Sequence, residues 1–124
     1  MSGTKSHGIV YKALPEESDF YAYADAIFMN TDKCRSMTGY VCLAGEGAIT
    51  WNSKSQESHA LSSMGAEYVA LTEAVHKACW LRNLYSELGL LREDLPTVIK
   101  GDNEGSLSMA KNPQYHKRLK HIDL

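Results

Sequence analysis

The chain has 124 residues, which is enough for one domain with its own core. A hydrophobic content of 44% and a charged content of 23% are typical of a soluble globular protein, and the net charge of −2 excludes polyanion binding through bulk charge alone. No apolar run approaches the roughly 20 residues that span a bilayer, and the amino-terminal stretch has no signal-peptide core. Three cysteines without CxxC spacing argue against a disulfide framework or a zinc site. We therefore expect one intracellular domain over residues 1–124, neither secreted nor bound to a membrane.

The first half of the chain contains strand patterns separated by turn residues. Gly8–Ala13 is a short strand candidate, and alternation with aromatic or β-branched residues predicts further strands over Phe20–Phe28, Ser36–Ala44 and Ala48–Ser53. Gly45–Gly47 has the composition of a hairpin turn. Three successive antiparallel strands would form a meander.

From Glu67 onward the hydrophobic period changes from 2 to 3.6. This spacing predicts a long helix, with Ser62 or Ser63 as its N-cap and Gly89 at its end. Its buried face should carry the residues at positions 67, 71, 74, 78, 81, 85 and 88.

A further strand is predicted over residues 97–102, and a short helix over Gly105–Lys111, ended by the approach of Pro113. The resulting order, βββαβα, favours an α/β layered domain over a helical bundle or a β-sandwich. Trp51 and Trp80 are expected to be packing residues, with the alternative that one of them borders a substrate groove.

Three carboxylates occupy positions where an apolar residue would be ordinary. Asp25 lies inside a predicted strand between Ala24 and Ala26, Glu67 heads the apolar stripe of the helix, and Asp102 ends the strand over 97–102. Each position also has a structural explanation. Asp25 could face solvent from an edge strand, and Glu67 could favour the helix dipole, which is worth roughly 0.3–1 kcal/mol at a surface.

Asp123 is a fourth acidic candidate near the end of the chain. Carboxylates brought together from separate elements would repel each other, and a divalent cation is the usual remedy. Mg²⁺ takes oxygen ligands, and two ions about 3.5–4 Å apart can activate a water and stabilise the leaving oxygen of a phosphodiester. Convergence of these residues would therefore imply metal-dependent phosphoryl chemistry.

A basic segment precedes Asp123. It contains Lys111, Lys117, Arg118 and Lys120. Such a cluster is either a solvated basic face or a patch that contacts phosphates, and its spacing leaves both interpretations open.

Several motifs carry a resemblance to a known family. The runs ALSSMGAEYVALTEA (Ala60–Ala74), GDNEGSLSMAKNP (Gly101–Pro113) and HKRLKHIDL (His116–Leu124) appear in order, after YADAIF, SMTGYV and GAITWNSKSQ. Together they resemble the ribonuclease H domain of copia-type (Pseudoviridae-like) LTR retrotransposon Pol polyproteins, from about Gly3 to the end of the chain. The resemblance implies a ribonuclease H-like fold, with a mixed sheet flanked by helices. It also implies an endonuclease that hydrolyses the RNA strand of RNA/DNA hybrids during reverse transcription.

The resemblance also assigns roles to single residues. Asp25 matches the strand aspartate that bridges two metal ions, and Glu67, Asp102 and Asp123 match the other three acidic ligands. The implied cofactor is two Mg²⁺ ions, for which Mn²⁺ can substitute. The implied partner is an RNA/DNA hybrid, contacted by the basic segment. The implied location is the cytoplasm, within a virus-like particle, or the nucleus.

The helix start departs from the family pattern. Relatives read SSTEAEY where this chain has Met64 and Gly65 in SSMGAEY. The missing Glu would complete a capping box with Ser62, and Gly65 lacks helical preference by roughly 0.5–1 kcal/mol. This change is expected to loosen Glu67.

The carboxyl terminus also departs from the pattern, because the family continues past KHID whereas this chain ends one residue after Asp123. The resemblance therefore implies a C-terminally truncated domain without the polymerase domain of its parent polyprotein. The alternative to a nuclease is a catalytically inactive retroelement remnant that at most binds nucleic acid.

Overall fold

The computed structural model describes residues 3–13, 20–28, 35–57 and 62–102. Their elements, in chain order, are β1 (Tyr21–Ile27), β2 (Met37–Ala44), β3 (Gly47–Ser55), α1 (Ser63–Glu87) and β4 (Val98–Gly101). The four strands form one sheet in the order β3-β2-β1-β4. The predicted α/β class is confirmed, and the helix predicted over Gly105–Lys111 lies outside the described residues.

The sheet is mixed. β2 pairs antiparallel with both β1 and β3, and β4 pairs parallel with β1. A parallel pair needs a crossover connection, and α1 lies in the chain between β3 and β4. The predicted meander with an added strand is therefore confirmed. Within the described part of the chain, no helix has the length and apolar character needed to cross a membrane.

Alternation along β1 decides which side chains face α1. Ala22 and Ala24 are buried, whereas Tyr23 and Asp25 are exposed. Because successive strand residues point to opposite faces, Tyr23 and Asp25 share the face that is turned away from α1. Trp51 is a cross-sheet neighbour of Tyr23 through Val41, so it shares this face. We call it the open face of the sheet.

The amino-terminal segment packs against the β2–β3 turn, and the strand predicted over Gly8–Ala13 is wrong. Tyr11 Oη donates a hydrogen bond to the Ala48 carbonyl at 2.8 Å, and the Lys12 N–H donates to the Gly45 carbonyl at 2.7 Å. Both acceptors lie at the end of the β2–β3 hairpin, Gly45 in its turn and Ala48 at the second position of β3. The segment contacts this end without pairing along a strand, despite its β-branched composition.

Helix α1 begins and ends as the sequence predicts. Ser62 is the N-cap, and its Oγ accepts a hydrogen bond from the Gly65 N–H at 3.0 Å. Gly89 has a φ of +67°, and its N–H and that of Leu90 donate to carbonyls of the last turn. The predicted stripe is confirmed from Leu71 to Leu81, and Tyr85 is partly buried against the core, whereas Glu67 is only half-buried. The stripe is wrong at Leu88, which is the exposed C-cap beyond the last helical residue.

The core lies between α1 and the sheet. Phe20 and Tyr85 pack with their ring centroids 5.3 Å apart, next to the buried Cys42 and Leu81. The prediction that both tryptophans are packing residues is wrong. Trp51 is 65% exposed on the open face, and Trp80 is 53% exposed on α1, where the Lys77 ammonium lies 4.2 Å from its ring.

Candidate metal centre

Asp25 and Asp102 are brought together by the parallel pairing of β1 with β4. Ala24 pairs with Gly101 in the β1–β4 register, and each aspartate is the next residue along its chain. Parallel strands present their carboxyl ends at the same edge of a sheet. The two carboxylates are therefore neighbours, and both are exposed.

Glu67 reaches this edge from the second turn of α1. The helix approaches β1 closely because the contact is made of small residues on both sides. These are Ala22 and Ala24 on the strand and Ala66, Ala70, Ala74 and Ala78 on the helix, all of them buried. β4 pairs with β1 only as far as Ala24, and two residues further the Ala26 N–H donates a hydrogen bond to the Glu67 carboxylate.

The three carboxylates form a compact cluster. One oxygen each from Asp25, Glu67 and Asp102 lies within 4.8 Å of the other two. Glu67 is half-buried and the two aspartates are exposed. Ligand oxygens on opposite sides of one Mg²⁺ lie about 4.2 Å apart. An all-carboxylate donor set of this size therefore fits a hard, oxygen-preferring divalent cation.

The electrostatics of the cluster also favour a bound cation. The pKa of Glu67 is raised above its ordinary value, first by burial and then by the negative charges of Asp102 and Asp25. The hydrogen bond from Ala26 acts in the opposite direction but is the smaller influence. The ionised cluster is thus under repulsion, which a bound cation would relieve.

Glu67→Gln is expected to stabilise the metal-free chain at neutral pH. Because the folded state raises the pKa of Glu67, it binds that proton more tightly than the unfolded chain does. The resulting stability is fully present below the ordinary glutamate range and is lost as pH rises through the folded-state pKa. At pH 7 in EDTA the variant should melt about 2–4 °C above the wild type, a value kept small because Glu67 is partly solvated.

Melting curves at pH 4 and pH 7 check this, with the exposed Glu93→Gln as a matched control. Near pH 4 the two chains should melt together, and millimolar Mg²⁺ at pH 7 should reverse their order. A Glu67→Gln chain that melts below the wild type in EDTA at pH 7 would contradict the described repulsion.

An open cleft of about 310 Å³ adjoins the two aspartates. Tyr23, Asp25, Lys100 and Asp102 line it, and the Lys100 Nζ lies 5.4 Å from the ring centroids of both Tyr21 and Tyr23. Sequence reasoning missed Lys100. The signal was its spacing, because Lys100 lies two positions before Asp102 in the strand predicted over residues 97–102, and alternate residues of a strand share a face. The cleft therefore combines an acidic edge with one cationic wall.

The other predicted site residues lie outside the described residues. These are Asp123 and the basic residues Lys111, Lys117, Arg118 and Lys120. The structure thus brings together three of the four acidic candidates, and the roles of all four remain predictions.

Fold and site together define an α/β domain with an acidic cluster suited to a divalent cation. No family model matches the chain. The chain is 40% identical over 103 residues to the retrovirus-related Pol polyprotein from transposon TNT 1-94 of Nicotiana tabacum, covering 82% of this chain. It is 36% identical over 125 residues to that from transposon RE2 of Arabidopsis thaliana, covering 100% of this chain.

The chain spans only 8% of the length of each of these two polyproteins, so it is similar to one small part of them. A shorter relative is secreted RxLR effector protein 161 of Plasmopara viticola. It is 33% identical over 82 residues, which cover 65% of this chain and 57% of that protein. Proteins that are similar to this chain over most of its length are therefore named as transposon Pol polyproteins.

Proposed function

We propose that this chain is a ribonuclease H-like domain derived from a retrotransposon Pol polyprotein, and that it hydrolyses the RNA strand of RNA/DNA hybrids with divalent cations. The observation that carries the proposal is the convergence of Asp25 on β1, Glu67 on α1 and Asp102 directly after β4. Homology to Pol polyproteins supports a retroelement origin. The mixed sheet with its parallel β4 is compatible with a ribonuclease H-like fold.

In this proposal the three carboxylates hold the metal, with Asp123 as a further ligand. When bound, Mg²⁺ or Mn²⁺ supplies Lewis acidity that generates a nucleophile from water and stabilises the leaving oxygen. Asp25 and Asp102 approach from the open cleft, where a phosphodiester has room to enter. The Ala26 N–H orients the Glu67 carboxylate from the protein side.

The charge of the cleft suits a polynucleotide backbone. The metal-free acidic cluster would repel a phosphate, and cation binding offsets that negative charge. Lys100 adds a positive charge to the same cleft. The proposed contacts of Lys111, Lys117, Arg118 and Lys120 with phosphates would add sequence-independent affinity. Discrimination of RNA from DNA would depend on the 2′-hydroxyl groups.

The departure at Gly65 bears on the inactive alternative. The Glu of a capping box is absent, yet the Ser62 cap to Gly65 is made, and the Ala66 N–H also donates to the Ser62 carbonyl at 3.0 Å. The first turn of α1 is therefore hydrogen-bonded up to the residue before Glu67. This geometry favours a functional Glu67 over a loosened one.

Cleavage of a labelled hybrid tests the proposal. The purified chain is incubated with an RNA/DNA hybrid labelled on the RNA strand, with Mg²⁺ or Mn²⁺ or with EDTA, alongside duplex DNA and single-stranded RNA. We expect cleavage of the hybrid alone, dependent on metal, with 3′-hydroxyl and 5′-phosphate products.

An intact hybrid at high protein concentration with either metal would contradict the nuclease. Retained hybrid binding in that case would support the inactive remnant. Cleavage by the purified chain that persists in EDTA would contradict the proposed dependence on a divalent cation.

A further inference from the structure

We propose that Gln56, just beyond the end of β3, is a positioning residue that sets the location of Glu67 in the acidic cluster. This inference rests on the proposed function insofar as Glu67 is a metal ligand. Gln56 lies away from the open cleft, and neither the sequence patterns nor the homologues' names assign it a role. The hydrogen bonds of its side chain go to Thr38 and Ala66 and not to a carboxylate of the cluster, so Gln56 would act through its neighbours.

Gln56 joins three parts of the fold. Its Nε2 donates to Thr38 Oγ1 of β2 at 2.9 Å and to the Ala66 carbonyl of α1 at 3.0 Å. Its backbone N–H donates to the Ser36 carbonyl at 2.8 Å. Gln56 is 2% exposed, and Thr38 and Ser36 are each 1% exposed. A fully buried amide therefore fixes the first turn of α1 to β2.

These contacts close a ring around Glu67. Thr38 is the register partner of Ala26, whose N–H donates to the Glu67 carboxylate. Ala66, the second acceptor of Gln56, is the residue before Glu67. Gln56 thus determines how far the helix residue bearing the carboxylate stands from the strand residue that orients it. Metal sites depend on such outer contacts, whose loss typically costs about 10–100-fold in affinity or activity.

The orientation of the amide shows which groups matter. Both hydrogens of Nε2 are used, and among the described residues Oε1 has no hydrogen-bond partner. A buried acceptor without a partner is unfavourable. Reversing the amide would place its oxygen against the Ala66 carbonyl, which is an acceptor too. The observed orientation therefore keeps both hydrogen bonds donated by Nε2 and leaves Oε1 without a partner among the described residues.

Gln56→Met tests the inference, because it preserves length and volume while it removes both donors. The matched control is Ala78→Gly in the middle of α1, which weakens the helix without touching its first turn. Two quantities are measured in both variants. One is the Mg²⁺ concentration at half-maximal thermal stabilisation, and the other is the hydrogen-exchange rate of the Ala26 amide in the metal-free chain.

We expect Gln56→Met to raise the Mg²⁺ midpoint about 10-fold and to speed exchange at Ala26, with neither change in Ala78→Gly at equal loss of melting temperature. Equal midpoints and equal exchange rates in the two variants would overturn the inference. If Gln56→Met does not fold, Thr38→Val removes one acceptor only and should give a smaller shift in the same direction, and no shift would again overturn it.

The two proposals fail separately. A wild type that binds Mg²⁺ but leaves a hybrid intact would contradict the nuclease, while a raised midpoint in Gln56→Met would still support the positioning role. If the wild type binds no Mg²⁺, the exchange rate of Ala26 in the metal-free chain decides the inference alone.

Discussion

Asp25→Asn is expected to lower Mg²⁺-dependent cleavage of an RNA/DNA hybrid about 10³-fold. Asp25 lies on β1, the strand next to β4, and one of its oxygens lies within 4.8 Å of oxygens of both Glu67 and Asp102. The amide keeps the shape of the side chain but removes one negative charge and one oxygen ligand. Metal stabilisation of the transition state is worth several kcal/mol, and about 4 kcal/mol corresponds to that rate factor.

The exposed Asp94→Asn, in the turn before β4, is the matched control, because it makes the same chemical change far from the cluster. It should cleave at the wild-type rate. Melting curves in EDTA should show that both variants are folded. Cleavage by Asp25→Asn within a few-fold of the wild type would exclude Asp25 as a metal ligand.

Gly45→Ala is expected to destabilise the chain more than Gly89→Ala, although both glycines have positive φ, +54° and +67°. At Gly89 an added Cβ meets no atom within 4 Å, so only the left-handed strain of about 1–2 kcal/mol applies. At Gly45 the Cβ would collide with the Lys12 carbonyl. The amino-terminal segment would have to move, with its hydrogen bond from Lys12 to Gly45. We expect a total loss of about 3 kcal/mol.

Urea unfolding of the two variants measures the difference directly, and trypsin cleavage after Lys12 reports whether the segment has detached. Equal midpoints for Gly45→Ala and Gly89→Ala would show that the contact between the segment and the turn contributes nothing to stability.

Local patterns in the sequence predicted the elements well. Alternation placed β1 within one residue at each end, because Ala22 and Ala24 must face the helix while Tyr23 cannot. Ser62 and Gly89 marked the limits of α1 through their chemistry as caps. The strand prediction for Gly8–Ala13 was wrong because strand composition does not show whether a neighbouring strand is available for pairing. The packing prediction for both tryptophans was wrong because size and apolarity do not determine which face of an element is covered.

The site was partly predictable for a different reason. Asp25, Glu67 and Asp102 are conspicuous as carboxylates at positions that the local pattern would make apolar. Their convergence depends on the parallel pairing of β1 with β4 and on the alanines that admit α1, which spacing alone does not reveal. Gln56 gave no signal, because a polar residue after a strand is ordinary until its burial and partners are known.

A crystal of the chain grown with millimolar Mn²⁺ tests the central claim most directly. Anomalous scattering at the manganese edge locates the ion without assumptions about activity. The expected result is a peak between the carboxylates of Asp25, Glu67 and Asp102, with ligand oxygens about 2.0–2.2 Å away, and its loss in Asp25→Asn. Carboxylates that stand clear of one another, with no peak among them, would contradict it.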